Sequence, residues 1–127
     1  MSDSTDYITM IEALALHAIG LKKYGGGSGI RDIGALESAL FRPQTGYYAD
    51  IIEQAAALLE SLAANHPFID GNERVAFAVT DTFLRINGCA IQSESATIYK
   101  KMIELFESNN FEFTYLEPWL RGIAHKK

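Results

Sequence analysis

Nine consecutive residues, His66-Pro67-Phe68-Ile69-Asp70-Gly71-Asn72-Glu73-Arg74, bring a base, an acid, an amide and a guanidinium into one short stretch. His66 is the side chain here that exchanges a proton near neutral pH. Asp70 offers a hard oxygen ligand suited to a magnesium ion carried by a nucleotide. Arg74 adds a fixed cationic fork for phosphate. Asn72 can orient a phosphate oxygen or the loop itself. A helix beginning near Asn72 presents free N–H groups in its first turn, and these attract anions. Gly71, Asn72, Glu73 and Arg74 therefore form the expected phosphate-binding stretch. A base beside such a cradle points to transfer of a phosphate-containing group to a hydroxyl.

Two helices must hold this stretch. Asp50 to Ala64 carries Ala55, Leu58, Leu59 and Leu62 on one stripe, and Val75 to Ile86 carries Ala76, Val79, Phe83 and Ile86 on another. Pro67 is expected to keep His66 extended, Gly71 to allow a tight turn, and Phe68 to anchor the loop in the core. Asp50 and Glu53 form a capping-box-like pair. The Ala- and Leu-rich helix after them should lie at the centre of a bundle.

The remaining segments read as helices too. One runs from about Asp6 to Lys23, with Ile8, Ile11, Ala15, Ala18 and Ile19 as its buried face. Gly25 should stop it as a left-handed cap, and His17 reads as a partly buried or surface histidine. The run Gly25-Gly26-Gly27-Ser28-Gly29 lacks the Gly-Lys-Ser/Thr ending of a phosphate loop. Arg31 is expected to pair with a surface acid. Asp32 caps a short helix through Phe41, ended by Pro43, and Tyr47 and Tyr48 pack the following loop. Asn87-Gly88 supplies a stop before an extended Cys89-Ala90-Ile91. Ser93 is expected to cap a helix of 94–108, and a box of Thr114 with Glu117 to open a last short helix. Five to six helices result, in an all-α domain.

At 127 residues the chain makes one domain with a real core. Its net charge of −5 argues against nonspecific nucleic-acid binding. Cys89 is the sole cysteine, so no internal disulfide can form. The chain shows no charged-then-apolar signal pattern, and no apolar run nears the roughly 20 residues of a membrane span. We therefore expect a cytoplasmic protein without membrane association.

The nine residues resemble the signature loop of the Fic/Doc family, which reads roughly His-x-Phe-x-Asp/Glu-Gly/Ala-Asn-Gly/Lys-Arg. The likeness is closer to the Doc (death-on-curing) branch than to Fic adenylyltransferases. Tyr24-Gly25-Gly26, Gly29-Ile30-Arg31-Asp32, Leu36-Glu37-Ser38-Ala39-Leu40 and Phe83-Leu84-Arg85-Ile86-Asn87-Gly88 look like Doc landmarks in Doc order. The resemblance implies a Fic/Doc-type helical bundle over residues 1–127, with the loop between two central helices.

It further implies a toxin of a toxin–antitoxin pair. His66 would deprotonate a Ser/Thr hydroxyl of a protein target, which in Doc proteins is elongation factor Tu. Asp70 would hold Mg2+, and residues 71–74 the phosphates of ATP. Transfer of the terminal phosphoryl group would then arrest translation, and a small antitoxin would restrain the enzyme.

Two positions depart from the family. Phe77 stands where Fic adenylyltransferases carry a second arginine, which disfavours adenylyl transfer (AMPylation) as the alternative. Glu73 stands where Doc relatives usually have lysine and Fic enzymes glycine. Two like unit charges about 4 Å apart cost roughly 4 kcal/mol at an effective dielectric of about 20. Glu73 thus either stands away from the phosphates, occupies the anion site itself, or leaves a disarmed binding or regulatory protein. The Ser/Thr-x-x-x-Glu-Gly/Asn inhibitory helix of many Fic enzymes is missed: Ser108 and Glu112 are followed by Phe113. A plain corner between helices is the rival to all of these readings. In it His66 bonds a carbonyl, Asp70 caps the next helix and Arg74 pairs with Glu60.

Overall fold

The Ala- and Leu-rich stretch after Asp50 becomes the axis of the molecule. In the computed structural model, which describes residues 4–127, it is the helix Ile51–Asn65, here α3. Ala55 to Leu59, Ser61, Leu62 and Ala63 are all buried, so this helix is covered almost all round. Small side chains at Ala55, Ala56 and Ala57 let neighbouring helices approach closely. α4 (Asn72–Ile86), α6 (Phe113–Ile123) and α2 (Ile33–Phe41) all pack against it. α1 (Met10–Tyr24) lies on α4, and α5 (Ser95–Glu107) completes an all-α bundle. Leu58, Leu59, Leu62, Phe68, Val79 and Phe83 form the middle of one core.

α1 starts later than the apolar pattern predicts. Thr9 Oγ1 accepts from Glu12 N at 3.2 Å and Glu12 Oε1 accepts from Thr9 N at 2.8 Å, a capping box that fixes the first turn at Met10. Its buried face is Ala13 and His17, while Ile11 and Ile19 are 79% and 62% exposed. The helix is apolar nearly all round, so periodicity offers more than one stripe. Packing on the signature loop selects the one with His17. Gly25 stops the helix at φ 81°, but with ψ −176° rather than left-handed helical geometry.

The other helix starts differ in how they are capped. α5 begins after Glu94 and α6 after Glu112, neither with a side-chain cap of its own, so the Ser93 and Thr114 caps do not form. The cap of α6 comes from α3, where Glu60 Oε2 accepts from Phe113 N at 3.0 Å. At α3 itself, Asp50 accepts from Glu53 N at 2.9 Å, and Glu53 reaches back to Ala49 N at 3.0 Å. Pro43 lies in a single 3-10 turn, Arg42–Gln44, rather than simply ending α2. Tyr48 packs there, its hydroxyl accepting from Arg42 Nε at 2.9 Å, whereas Tyr47 is exposed.

The expected extended segment after Asn87-Gly88 is β1 (Cys89–Ile91). It pairs antiparallel with β2 (Ala124–Lys126), in the register Cys89 with Lys126 and Ile91 with Ala124. The polar His-Lys ending of β2 carries no alternation that would announce a strand.

Candidate active site at the α3–α4 loop

The signature loop leaves α3 through an unusual turn. His66 is in the left-handed region, φ 46° and ψ 57°, not extended as Pro67 predicts. A following proline bars right-handed helical geometry, and both the extended and the left-handed regions survive that constraint. Termination of α3 selects the left-handed one, at a cost of roughly 1–2 kcal/mol for a residue with a Cβ. The turn is braced from outside. Arg31 Nε donates to His66 O at 2.5 Å and its Nη2 to Asn65 O at 2.7 Å. Arg31 thus neutralises the carbonyl end of α3 instead of pairing with a surface acid. Its own N–H and that of Asp32 donate to Pro67 O at 2.8 and 3.0 Å, and Ile69 N donates to Gly29 O at 3.2 Å. The His66 side chain is exposed and has no hydrogen-bond partner among the described residues.

The middle of the loop is pinned from below. Phe68 is 1% exposed, as expected of the anchor. Asn72 folds back on it: its Oδ1 accepts from Phe68 N and its Nδ2 donates to Phe68 O, both at 3.0 Å. The buried Asn72 amide therefore orients the loop, and only its backbone N–H remains for an anion. The His17 ring stacks on Phe68, with centroids 3.8 Å apart and planes 11° from parallel. His17 Nε2 donates to Asp70 O at 2.8 Å.

Asp70 is exposed and held as an anion. Its Oδ2 accepts from Gly27 N at 3.1 Å and its Oδ1 from Gly71 N at 2.8 Å. These two N–H groups, with smaller help from the Arg74 charge, keep its pKa below the ordinary aspartate value. The glycine run is therefore a wall of the site. A Cβ at Gly26 would stand 2.8 Å from Asp70 Oδ2.

Gly71, at φ 74°, turns the chain into α4 without a side chain to cap it. The first helical bond runs from Val75 N to Gly71 O, which leaves the N–H groups of Asn72, Glu73 and Arg74 without helical acceptors. Glu73 is exposed in this first turn, with no ion pair or hydrogen bond for its carboxylate among the described residues. Arg74 Nη2 donates to Gly25 O at 3.3 Å, and the guanidinium lies over the Tyr24 ring at 5.2 Å. A cleft of about 210 Å³ opens beside it between α1 and α4, lined by Leu16, His17, Gly20, Tyr24, Gly71 and Arg74. Arg74 does not pair with Glu60, which is taken by Arg42 at 2.5 Å. Phe77 packs toward Trp119, with centroids 6.5 Å apart. Ser108 ends α5 and Glu112 precedes α6, so no single helix carries both.

Asp70, Gly71 and Arg74 thus meet His17 and the glycine run at the foot of α4, while Arg31 braces the His66 turn at the end of α3. The signal for His17 was a polar ring on an apolar helix face, which needs a partner once buried. No group of three or more His, Cys, Asp or Glu that could hold a metal ion occurs among the described residues. No described helix is long and apolar enough to cross a membrane.

A family model described as the Fic/DOC family matches residues 7–84. Over 95 residues the chain is 39% identical to "Toxin Doc" of Mycolicibacterium smegmatis, an alignment covering 71% of each protein. Over 89 residues it is 34% identical to "Protein kinase doc" of Escherichia phage P1, covering 67% of this chain and 71% of that relative. Both relatives carry the Doc name and the matched span contains the whole signature loop, so the chain belongs to the Fic/Doc family, in its Doc branch.

Proposed function

We propose that this protein is a Doc-type toxin that transfers the γ-phosphoryl group of ATP to a Ser/Thr hydroxyl of a protein target. The observation that supports the reading is a charged Asp70 beside the uncapped N terminus of α4, in a loop that opens on an exposed His66 with no hydrogen-bond partner among the described residues. His66 takes the hydroxyl proton, the oxygen attacks the γ-phosphorus, and the bond to ADP breaks. The free N–H groups of residues 72–74 and the Arg74 fork bind phosphate oxygens, and such positioning carries most of the work in phosphoryl transfer. Asp70 fits a nucleotide-borne Mg2+, because it stays anionic, is exposed, and belongs to no group of three or more ligands that could hold an ion by itself among the described residues. That ion, when bound, neutralises phosphate charge.

The relatives named toxin and kinase support this class of activity. The Phe77 contact with Trp119 fills the place of a second phosphate-binding arginine, which speaks against adenylyl transfer. The resemblance points to elongation factor Tu as target and to a small antitoxin as restraint. In bacteria, expression of the protein should stop translation, His66→Ala should not, and the neighbouring small reading frame should rescue growth. Arrest by His66→Ala as strong as by the unaltered protein would overturn the reading.

A second reading rests on Glu73, whose free carboxylate stands beside the anion-binding turn. It has the protein keep the fold as a binding or regulatory protein that no longer takes up ATP. Calorimetry with Mg2+ and ATP separates the two: tight binding by the unaltered protein excludes the disarmed form.

A further inference from the structure

His17 lies outside the signature loop, 53 residues before the group it holds. It is 7% exposed, one of few polar side chains in the core. A carbonyl oxygen can only accept, so the contact from Nε2 to Asp70 O at 2.8 Å fixes the Nε2–H tautomer. The face-on stack with Phe68 fixes the plane of the ring. Phe68 is itself tied at both N and O by Asn72. The imidazole thus sits in one orientation, with its proton aimed at the backbone of Asp70.

A trans peptide carries its C=O and N–H in opposite directions. Holding the carbonyl of Asp70 therefore also directs the N–H of Gly71, which meets Asp70 Oδ1 at 2.8 Å. The other oxygen, Oδ2, is then presented to Gly27 N at 3.1 Å. The direction of the carboxylate is inherited from the peptide plane that His17 grips. Leucine or phenylalanine would fill the same core space and leave that plane unheld.

From this chain of contacts we infer that His17 is a positioning residue that aims the Asp70 carboxylate. The inference rests on the proposed function only in the claim that Asp70 receives the nucleotide's Mg2+. His17→Phe keeps a ring against Phe68 and removes the donor, whereas His17→Gln keeps an N–H at comparable reach.

The first readout needs neither nucleotide nor metal. In 15N–1H spectra of the free protein, the Gly71 and Gly27 amides should move upfield in His17→Phe and stay near their original positions in His17→Gln. Unmoved amides in a folded His17→Phe would overturn the inference. Should that variant not fold, the imidazole tautomer of the unaltered protein decides by long-range 15N–1H correlation, since a proton on Nδ1 instead of Nε2 would overturn it.

The second readout is γ-phosphate labelling of target against Mg2+ concentration. The half-saturating Mg2+ should rise about tenfold in His17→Phe, the scale of one lost orienting hydrogen bond, with the rate at saturation changed far less. Equal Mg2+ dependence in the two proteins would also overturn it. No labelling by the unaltered protein would refute the kinase reading alone, and the amide shifts would still decide the role of His17.

Discussion

Gly26→Ala separates the cost of backbone strain from the cost of disturbing Asp70. Gly26 has φ +119°, and a Cβ there would lie 2.8 Å from Asp70 Oδ2, 3.2 Å from Leu21 Cδ2 and 3.3 Å from Asp70 Cγ. Gly46 is the matched control, with φ +88° and nothing within 4 Å of its Cβ. Both alanines incur strain of roughly 1–2 kcal/mol. For a domain of this size that is a fall of roughly 3–10 °C in melting temperature. Only Gly26→Ala must also push a carboxylate aside, because 2.8 Å is closer than a Cβ and an oxygen approach. Thermal unfolding and γ-phosphate labelling are measured on both variants. The expected result is comparable loss of stability with loss of transfer in Gly26→Ala alone. Equal transfer by the two would show that the glycine run is not part of the site, and would refute the placement of Asp70 derived from its contacts.

Arg31→Ala removes both donors from the carbonyl end of α3. Since the side chain is exposed, about 1 kcal/mol of stability should be lost in denaturant titrations, with a faster-exchanging Ile69 amide. Glu73→Lys should tighten ATP binding in calorimetry. Because Glu73 is exposed, screening should hold the gain to about tenfold or less. Asp50 bonds Arg121 at 3.0 and 3.2 Å, and that partner holds its pKa below the ordinary aspartate value. Its contribution is therefore present above about pH 3.9 and lost as pH falls through the lower folded value. Asp50→Asn, which can still cap α3, should be less stable at pH 7 by at most about 1 kcal/mol, and the difference should shrink as pH falls below the ordinary aspartate value.

α3 and α4 were legible because their apolar residues keep helical spacing and their ends carry Asp50 and Gly71. α1 was legible as a helix but not in its facing, because Ile11 and Ile19 compete with Ala13 and His17 and only tertiary contact decides. The start of α6 is not local for a similar reason, since Glu60, far away in sequence, satisfies its first turn. In the loop, residue types and order single out His66, Asp70 and Arg74 as candidates. The backbone state of His66 is not legible there, because Pro67 excludes one region without choosing between the others. His17 and Arg31 act on backbone carbonyls 53 and 34 to 35 residues away, which leave no trace in the local pattern.

The most direct test of the central claim is paired labelling. The purified protein and its His66→Ala variant are incubated with Mg2+, a bacterial extract containing elongation factor Tu, and ATP labelled at either the γ- or the α-phosphate. The expected result is a protein band labelled from the γ position alone and absent with His66→Ala. A band labelled from the α position, or a γ-labelled band that persists without His66, would contradict it.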